Sequence, residues 1–368
     1  MQHRVALAVA ALCLVGAVGA TASFASRAAA PKINPIFTYN KPDREQYLYD
    51  CAKKEGSVTL YSSASITDAI YKPAWAKLYP GVTLNTYVAT TQLIPRLKQE
   101  EDAGHHNFDV LNDTIGNFGR DGKYFQPFWS PNMAKAQKGL ASPYFLANAG
   151  FLFPGLYYNP NLISASDVPK TWKDLLKPQY TGKIYIGNDG TSPVVTGLLR
   201  KVYGKSYYEA LAKQVRVQNV SGRGIADQII AGTIPMGIEM SSAYYKLNHL
   251  NQGAPLLLQV MSPMYGSYSA ASISKYTTHP CASMLLVDWL NSTAPDGAQP
   301  ILNGLGVSSP YKGSDLVPFQ VDGQLPQSKW NAYFGTDPEL YKGLGFKNWA
   351  QAYAYWSKLY YKYFINGG

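Results

Sequence analysis

The chain is short of charge. Of its 368 residues only 15% are Asp, Glu, Lys or Arg, and the 33 basic residues are dispersed. No dense Lys/Arg run occurs, which removes the clustered basic stripe that nucleic-acid binding needs. Cysteine is scarcer still, three in all, and no two are spaced to hold zinc. No two histidines stand four apart on a helix as in a zinc protease, and His105-His106 falls in a polar loop. A G-x-S-x-G elbow is missing, which disfavours an α/β-hydrolase. The run "YGKS" (203–206) resembles the end of a phosphate-binding loop, but the required earlier glycine is Leu199 and a helix, not a strand, precedes it. "GRG" (222–224) is too short for a dinucleotide fingerprint. With no recognisable nucleophile, base or metal set, the chain reads as a non-enzyme without a cofactor. A secreted enzyme on the same kind of fold is the alternative.

Long apolar runs are also lacking, with one exception. "VALAVAALCLVGAVGA" follows Arg4 and precedes small residues at 20–25. It is shorter than the roughly 20 residues of a membrane span, and it reads as an export signal over residues 1–25. Cys13 lies inside it without a lipoprotein cleavage pattern. The expectation is a periplasmic protein. Beyond that segment Cys51 and Cys281 remain, an even count that permits one disulfide in an oxidising compartment and equally two buried thiols.

What is abundant is tyrosine, 29 residues, within a chain that is 46% hydrophobic. That composition suits half-wet clefts and a core large enough for two lobes. The net charge of +10 fits an anionic small ligand. Strand and helix patterns alternate. "SVTLYSS" (57–63), "VTLNTYV" (82–88) and "NFDVLND" (107–113) read as strands, separated by helices at "TDAIYKPAWAKLYPG" and "TQLIPRLKQEEDAG". This order predicts a parallel sheet with helices on its faces. The same grammar resumes with strands near 155–163, 182–189, "RVQNV", "IPMGIEM" and 265–276. Helices are expected at 192–204, "GIADQIIAG", "HPCASMLLVDWLNS" and "NWAQAYAYWSKLYYKYF".

One position recurs: the C-terminal end of a strand, then small polar residues, then a helix start. "YSSAS" (61–65), "NDTIG" (112–116), "GNDGTSP" (187–193), "NVSGRGIAD" (219–227) and "EMSSAYY" (239–245) all have it. Open α/β sheets bind ligands at such strand ends, where helix N-termini offer free N–H groups.

The segments "AKKEGSVTLYSS", "FDVLND", "LYYNPNLI", "PKTWKDLLKPQYTGKIYIGND", "IIAGTIPMGIEMSSAYYKL" and "AASISKYTTHPCASMLLVDWLNSTAPDG" together resemble the periplasmic solute-binding proteins of bacterial ABC importers. Within that group they are similar to the branch of ferric-iron, aminoethylphosphonate and polyamine binders. The resemblance implies an α/β, type II periplasmic-binding fold: two lobes, a hinge and an interlobe ligand cleft. Lobe 1 would take 43–150 plus 265–310, lobe 2 would take 151–264, and 311–368 would pack back as a helical region. It implies a probable monomer that delivers a small solute to an inner-membrane permease, with hinge closure around the ligand.

The resemblance also places candidate ligand contacts at Ser62, Ser63, Asp113, Gly190, Thr191, Ser192, Arg223, Tyr244 and Tyr245. In the family's iron binders a neighbouring tyrosine pair holds ferric ion, and Tyr244-Tyr245 fall on that pair; hard ferric ion prefers charged oxygen donors. The chain lacks the histidine or tyrosine that iron binders often add after the first strand. Arg223 would repel a bare cation and attract a carboxylate or phosphate. Three readings of the pair therefore stand: packing or platform rings, a subsite for a small organic or phosphonate anion, and a ferric clamp with a synergistic anion.

Overall fold

The computed structural model describes residues 34–368 apart from 65, 91, 116–119, 322, 336–340 and 342–344. The expected export signal, residues 1–25, lies outside them. No helix of the described residues is long and apolar enough to cross a membrane.

The chain begins with α1 (Arg44–Glu55), β1 (Ser57–Ser62), α2 (Lys72–Leu78), β2 (Thr83–Val88), α3 (Leu93–Asp102) and β3 (Val110–Thr114). β1 lies between β2 and β3 and is parallel to both, as the alternation predicts. Then follow β4 (Ala141–Ser142), β5 (Phe145–Tyr158), β6 (Ile184–Ile186), α4 (Ser192–Gln214), β7 (Val215–Val217), α5 (Gly222–Ile230), β8 (Met236–Ile238) and the single turn α6 (Ser242–Tyr244). β9 (Leu257–Ile273), α7 (Pro280–Leu290), α8 (Ala298–Gly304), β10 (Ala332–Phe334) and α9 (Trp349–Tyr360) complete the fold.

All ten strands join one sheet in the order β2-β1-β3-β9-β5-β8-β6-β7, with β10 on β9 and β4 on β5. Two features escape the sequence patterns. α1 was not anticipated, and β5 and β9 are much longer than expected, at 14 and 17 residues. They pair antiparallel along most of their length. The register breaks between Phe153 and Gly155. There a Cβ on Gly155 would stand 2.2 Å from the carbonyl oxygen of Gln259, so the two backbones approach this closely only at glycine.

The apolar cores lie on either side of this ribbon. Trp75, Trp289, Leu48 and Cys281 belong to the cluster built on β1–β3, α1 and α7. Trp172, Tyr208, Leu211 and Ile184 belong to the cluster built on β6–β8 and α4. In the first core Cys51 of α1 and Cys281 of α7 form a disulfide across 230 residues of sequence. Glu55, one turn beyond Cys51, accepts from the backbone N–H groups of Cys281 and Ala282 at 3.0 and 2.8 Å and so caps the start of α7.

The loop closed by this bridge is long, so replacing both cysteines by alanine is expected to cost about 2–4 kcal/mol. Urea unfolding of the double variant and of the parent, each with and without reductant, measures it. An unchanged midpoint would mean that packing of α1 on α7 suffices alone.

Candidate functional site

A cavity of about 560 Å³ opens where the strands of the two halves end. Ser63, Asp113 and Thr114 reach it from β1 and β3; Asp189, Gly190 and Thr191 reach it from the turn between β6 and α4. Arg223 of α5, Glu239 after β8 and Tyr244 of α6 complete that wall. Six of the nine residues expected from the sequence are thus brought together: Ser63, Asp113, Gly190, Thr191, Arg223 and Tyr244.

The other three lie behind the surface. Ser62 is fully buried; its hydroxyl accepts from the Ala64 N–H and the Thr67 hydroxyl, fixing the turn after β1. The Ser192 hydroxyl donates to the Gly187 carbonyl at 2.8 Å. Tyr245 is buried in the core, with its ring against His249 and Phe319. Neighbouring helical residues point about 100° apart, and the two phenols divide accordingly, one to the cavity and one to the core.

The turn "DGTS" supplies its own anion. The Asp189 carboxylate accepts from the backbone N–H of Thr191 at 2.8 Å and of Gly222 at 3.1 Å, so it bridges the starts of α4 and α5. The Ser221 hydroxyl takes the Gly224 N–H. Donors that the sequence offered to a ligand are occupied by the chain itself.

Several site residues were not foreseen. Glu239 ends an apolar strand with its backbone in the left-handed region, φ 78°. It is 2% exposed, and its Oε2 has no hydrogen-bond partner. Burial, and then the Asp189 carboxylate, push its carboxyl well above the usual range. A carboxylate at the end of "IPMGIE" was a visible signal: charge seldom closes an apolar strand without a role. Across the cavity, Asp113 is 4% exposed and its Oδ2 is likewise unpartnered. Burial raises its carboxyl, and the buried Arg120 guanidinium opposes the rise. Arg120 donates to the Asp113 carbonyl at 2.7 Å and to the Ser272 hydroxyl at 2.6 Å, and burial lowers its own value to about 10. The Tyr244 phenol is raised by burial and then by Asp189 and Glu239, with Arg223 opposing. It is a neutral hydroxyl unless a metal ion or other cation drives it to ionise.

The C-terminal helix closes the remaining side. Tyr353, Ser357 and Tyr361, four residues apart, line the cavity from one helical face. The opposite face carries Trp349, Trp356 and Tyr360 into the core. Trp356 lies against Gly197 of α4, where a Cβ would come within 2.4 Å of the indole. The Tyr360 hydroxyl donates to the Gly187 carbonyl at 2.6 Å.

Four carboxylates line the cavity, those of Asp113, Asp189, Asp227 and Glu239, against one cation among the described residues, Arg223. The Arg223 side chain is 56% exposed and stands 3.9 Å from Asp227. Phe151, Phe153, Tyr265 and Tyr353 supply apolar wall. The one cluster of three His, Cys, Asp or Glu ligand atoms among the described residues is Cys51, Glu55 and Cys281, and its two sulfurs are joined in the disulfide.

Residues 109–271 match the family model of the bacterial extracellular solute-binding proteins. No curated protein matches. Among solved structures the fold is similar to the periplasmic binding protein P5PA, at 17% identity over 83% of this chain and 99% of that one, TM-score 0.65. It is similar to iron-bound HitA from Pseudomonas aeruginosa, at 16% identity over 82% and 98%, TM-score 0.62. It is also similar to AfuA from Actinobacillus pleuropneumoniae with exogenous fructose-6-phosphate bound, at 17% identity over 84% and 98%, TM-score 0.66. The type II periplasmic-binding fold and the solute-binding resemblance expected from the sequence are borne out.

Because the Glu239 carboxyl is raised on folding, the folded chain binds this proton more tightly than the unfolded chain. The stability tied to it therefore falls as pH climbs from the ordinary glutamate value, about 4.3, towards the raised folded value. Glu239→Gln removes the titration. Its melting temperature is expected to decline less than that of the parent between pH 5 and pH 8, in paired thermal scans. Parallel curves would show that Glu239 carries no such load.

Proposed function

We propose that this protein is the solute-binding component of a bacterial ABC importer, exported to the periplasm, where it captures a small organic solute between two lobes and hands it to an inner-membrane permease. The observation that carries this reading is the cavity at the strand ends of both halves of the sheet, walled by polar turns and aromatic rings. The solute-binding family match over 109–271 supports it. The absence of a nucleophile–base pair from the sequence motifs favours capture over turnover. The register break at Phe153–Gly155 is where we place the hinge, between halves corresponding to 43–150 with 265–310 and to 151–264. A monomer suffices for this role.

An organic solute suits the cavity better than bare ferric ion, because Tyr244 alone of the tyrosine pair faces it. Arg223, exposed at the wall, is suited to an acidic group on such a solute. Ferric iron with a synergistic anion is the second reading, favoured by the Tyr244 phenol standing in one wall with the Asp189 and Asp227 carboxylates. HitA, of the same fold, is described as iron-bound.

Titration of the mature protein with ferric citrate at neutral pH separates the two. The organic reading expects no saturable tyrosinate-to-iron absorption band. A band abolished by Tyr244→Phe would establish the ferric reading instead. In either case Arg223→Ala is expected to weaken binding of an acidic solute about tenfold or more, as loss of a charge-assisted hydrogen bond does; calorimetry reads the change.

A further inference from the structure

Two buried carboxylate oxygens that line the cavity have no hydrogen-bond partner: Oδ2 of Asp113 and Oε2 of Glu239. They come from opposite halves of the sheet, since β3 and β8 lie on either side of the β9–β5 pair. Native interiors leave few polar atoms unpaired, and acceptors of this kind ask for a donor. The cavity's own cation does not supply it. Arg223 is mostly exposed and stands beside Asp227, while Arg120 behind Asp113 spends its bonds on a carbonyl and on Ser272. The space between is faced by the rings of Phe153, Tyr244, Tyr265 and Tyr353, surfaces that attract a positive charge.

We propose that the inner part of this cavity is an ammonium subsite: the solute carries a protonated amine that donates to the carboxylates of Glu239 and Asp113 between aromatic walls. This rests on the solute-capture reading and names the chemical class of its ligand. An acidic group at the solute's other end would meet Arg223.

The groups around Glu239 define a further consequence. Asp189 faces it from the turn before α4, Arg223 and Asp227 stand on α5, Tyr244 is on α6, and Tyr360 comes from α9. In the empty cavity Glu239 is held protonated next to the Asp189 carboxylate, which is tied to two backbone N–H groups. An arriving ammonium group supplies the charge that lets Glu239 ionise. One proton then leaves the Glu239 carboxyl for solvent, while the amine keeps its own. Affinity should rise with pH by up to tenfold per unit while that proton is still bound in the empty protein.

The test uses the full mature chain and matched probes that differ only in the amine: phosphoethanolamine against ethyl phosphate, and 4-aminobutyrate against butyrate. These are run alongside a wide panel of solutes that includes sugar phosphates and ferric citrate. Calorimetry in buffers of different ionisation enthalpy is expected to show the amino member of a pair binding at least tenfold tighter and releasing close to one proton. Glu239→Gln should abolish the release, and Asp113→Asn should narrow the preference independently. Equal or tighter binding of the amine-free members, proton uptake on binding, or a best ligand from the panel without an ammonium group overturns the subsite and leaves solute capture standing. If nothing in the panel binds, capture itself falls, and the subsite with it.

Discussion

The long antiparallel pairing of β5 with β9 is the constraint on which the rest of the structure depends. Each strand serves both halves: β9 also pairs with β3, and β5 also pairs with β8. The parallel strands on either side are short, and those of the β6–β8 half span three residues each. Without the ribbon, each half would be a small sheet with an open edge, a poor basis for independent stability. With it, both sets of strand ends are directed at one space, and the register break places the most deformable point of the ribbon beside that space.

The second constraint is electrostatic. Helix starts gathered around a cavity usually invite an anion. Here Asp189 fills the donors of α4 and α5 from within. A fixed carboxylate at that point makes a buried neighbour hard to ionise, which accounts for the raised Glu239. The cavity therefore presents acceptors inside and a guanidinium at its exposed wall.

Much of this was legible in the sequence. The strand-turn-helix repeats located the cavity, and six of the nine predicted contacts line it. What could not be read follows from physical causes. A helical pair such as Tyr244-Tyr245 cannot show which member faces a cavity until its neighbours are placed. Ser62 and Ser192 have the right residue type at the right kind of turn, but their hydroxyls satisfy local backbone and side-chain groups, as such residues commonly do. β9 hides its length because "SPMYGSYSAASI" mixes small and polar residues in a strand that is buried on both faces. Glu239 was quoted in a strand-end motif without being weighed, since burial of a lone carboxyl is a tertiary fact. The Cys51–Cys281 bridge was permitted by the count and decided by the packing of α1 on α7.

The attachment of α9 has a bearing on biogenesis. Its rings dock on Gly197 and on the Gly187 carbonyl, and its other face supplies a wall of the cavity. These residues sit at 349–361 of a 368-residue chain. A polypeptide delivered across a membrane from its N-terminus forms both sheets before this helix arrives. Until then the cavity is an open trough, and the α4 surface that receives Trp356 is bare. Ligand recognition thus matures with the last segment to emerge, and a chain truncated before residue 349 would carry most of the fold without a finished receptor.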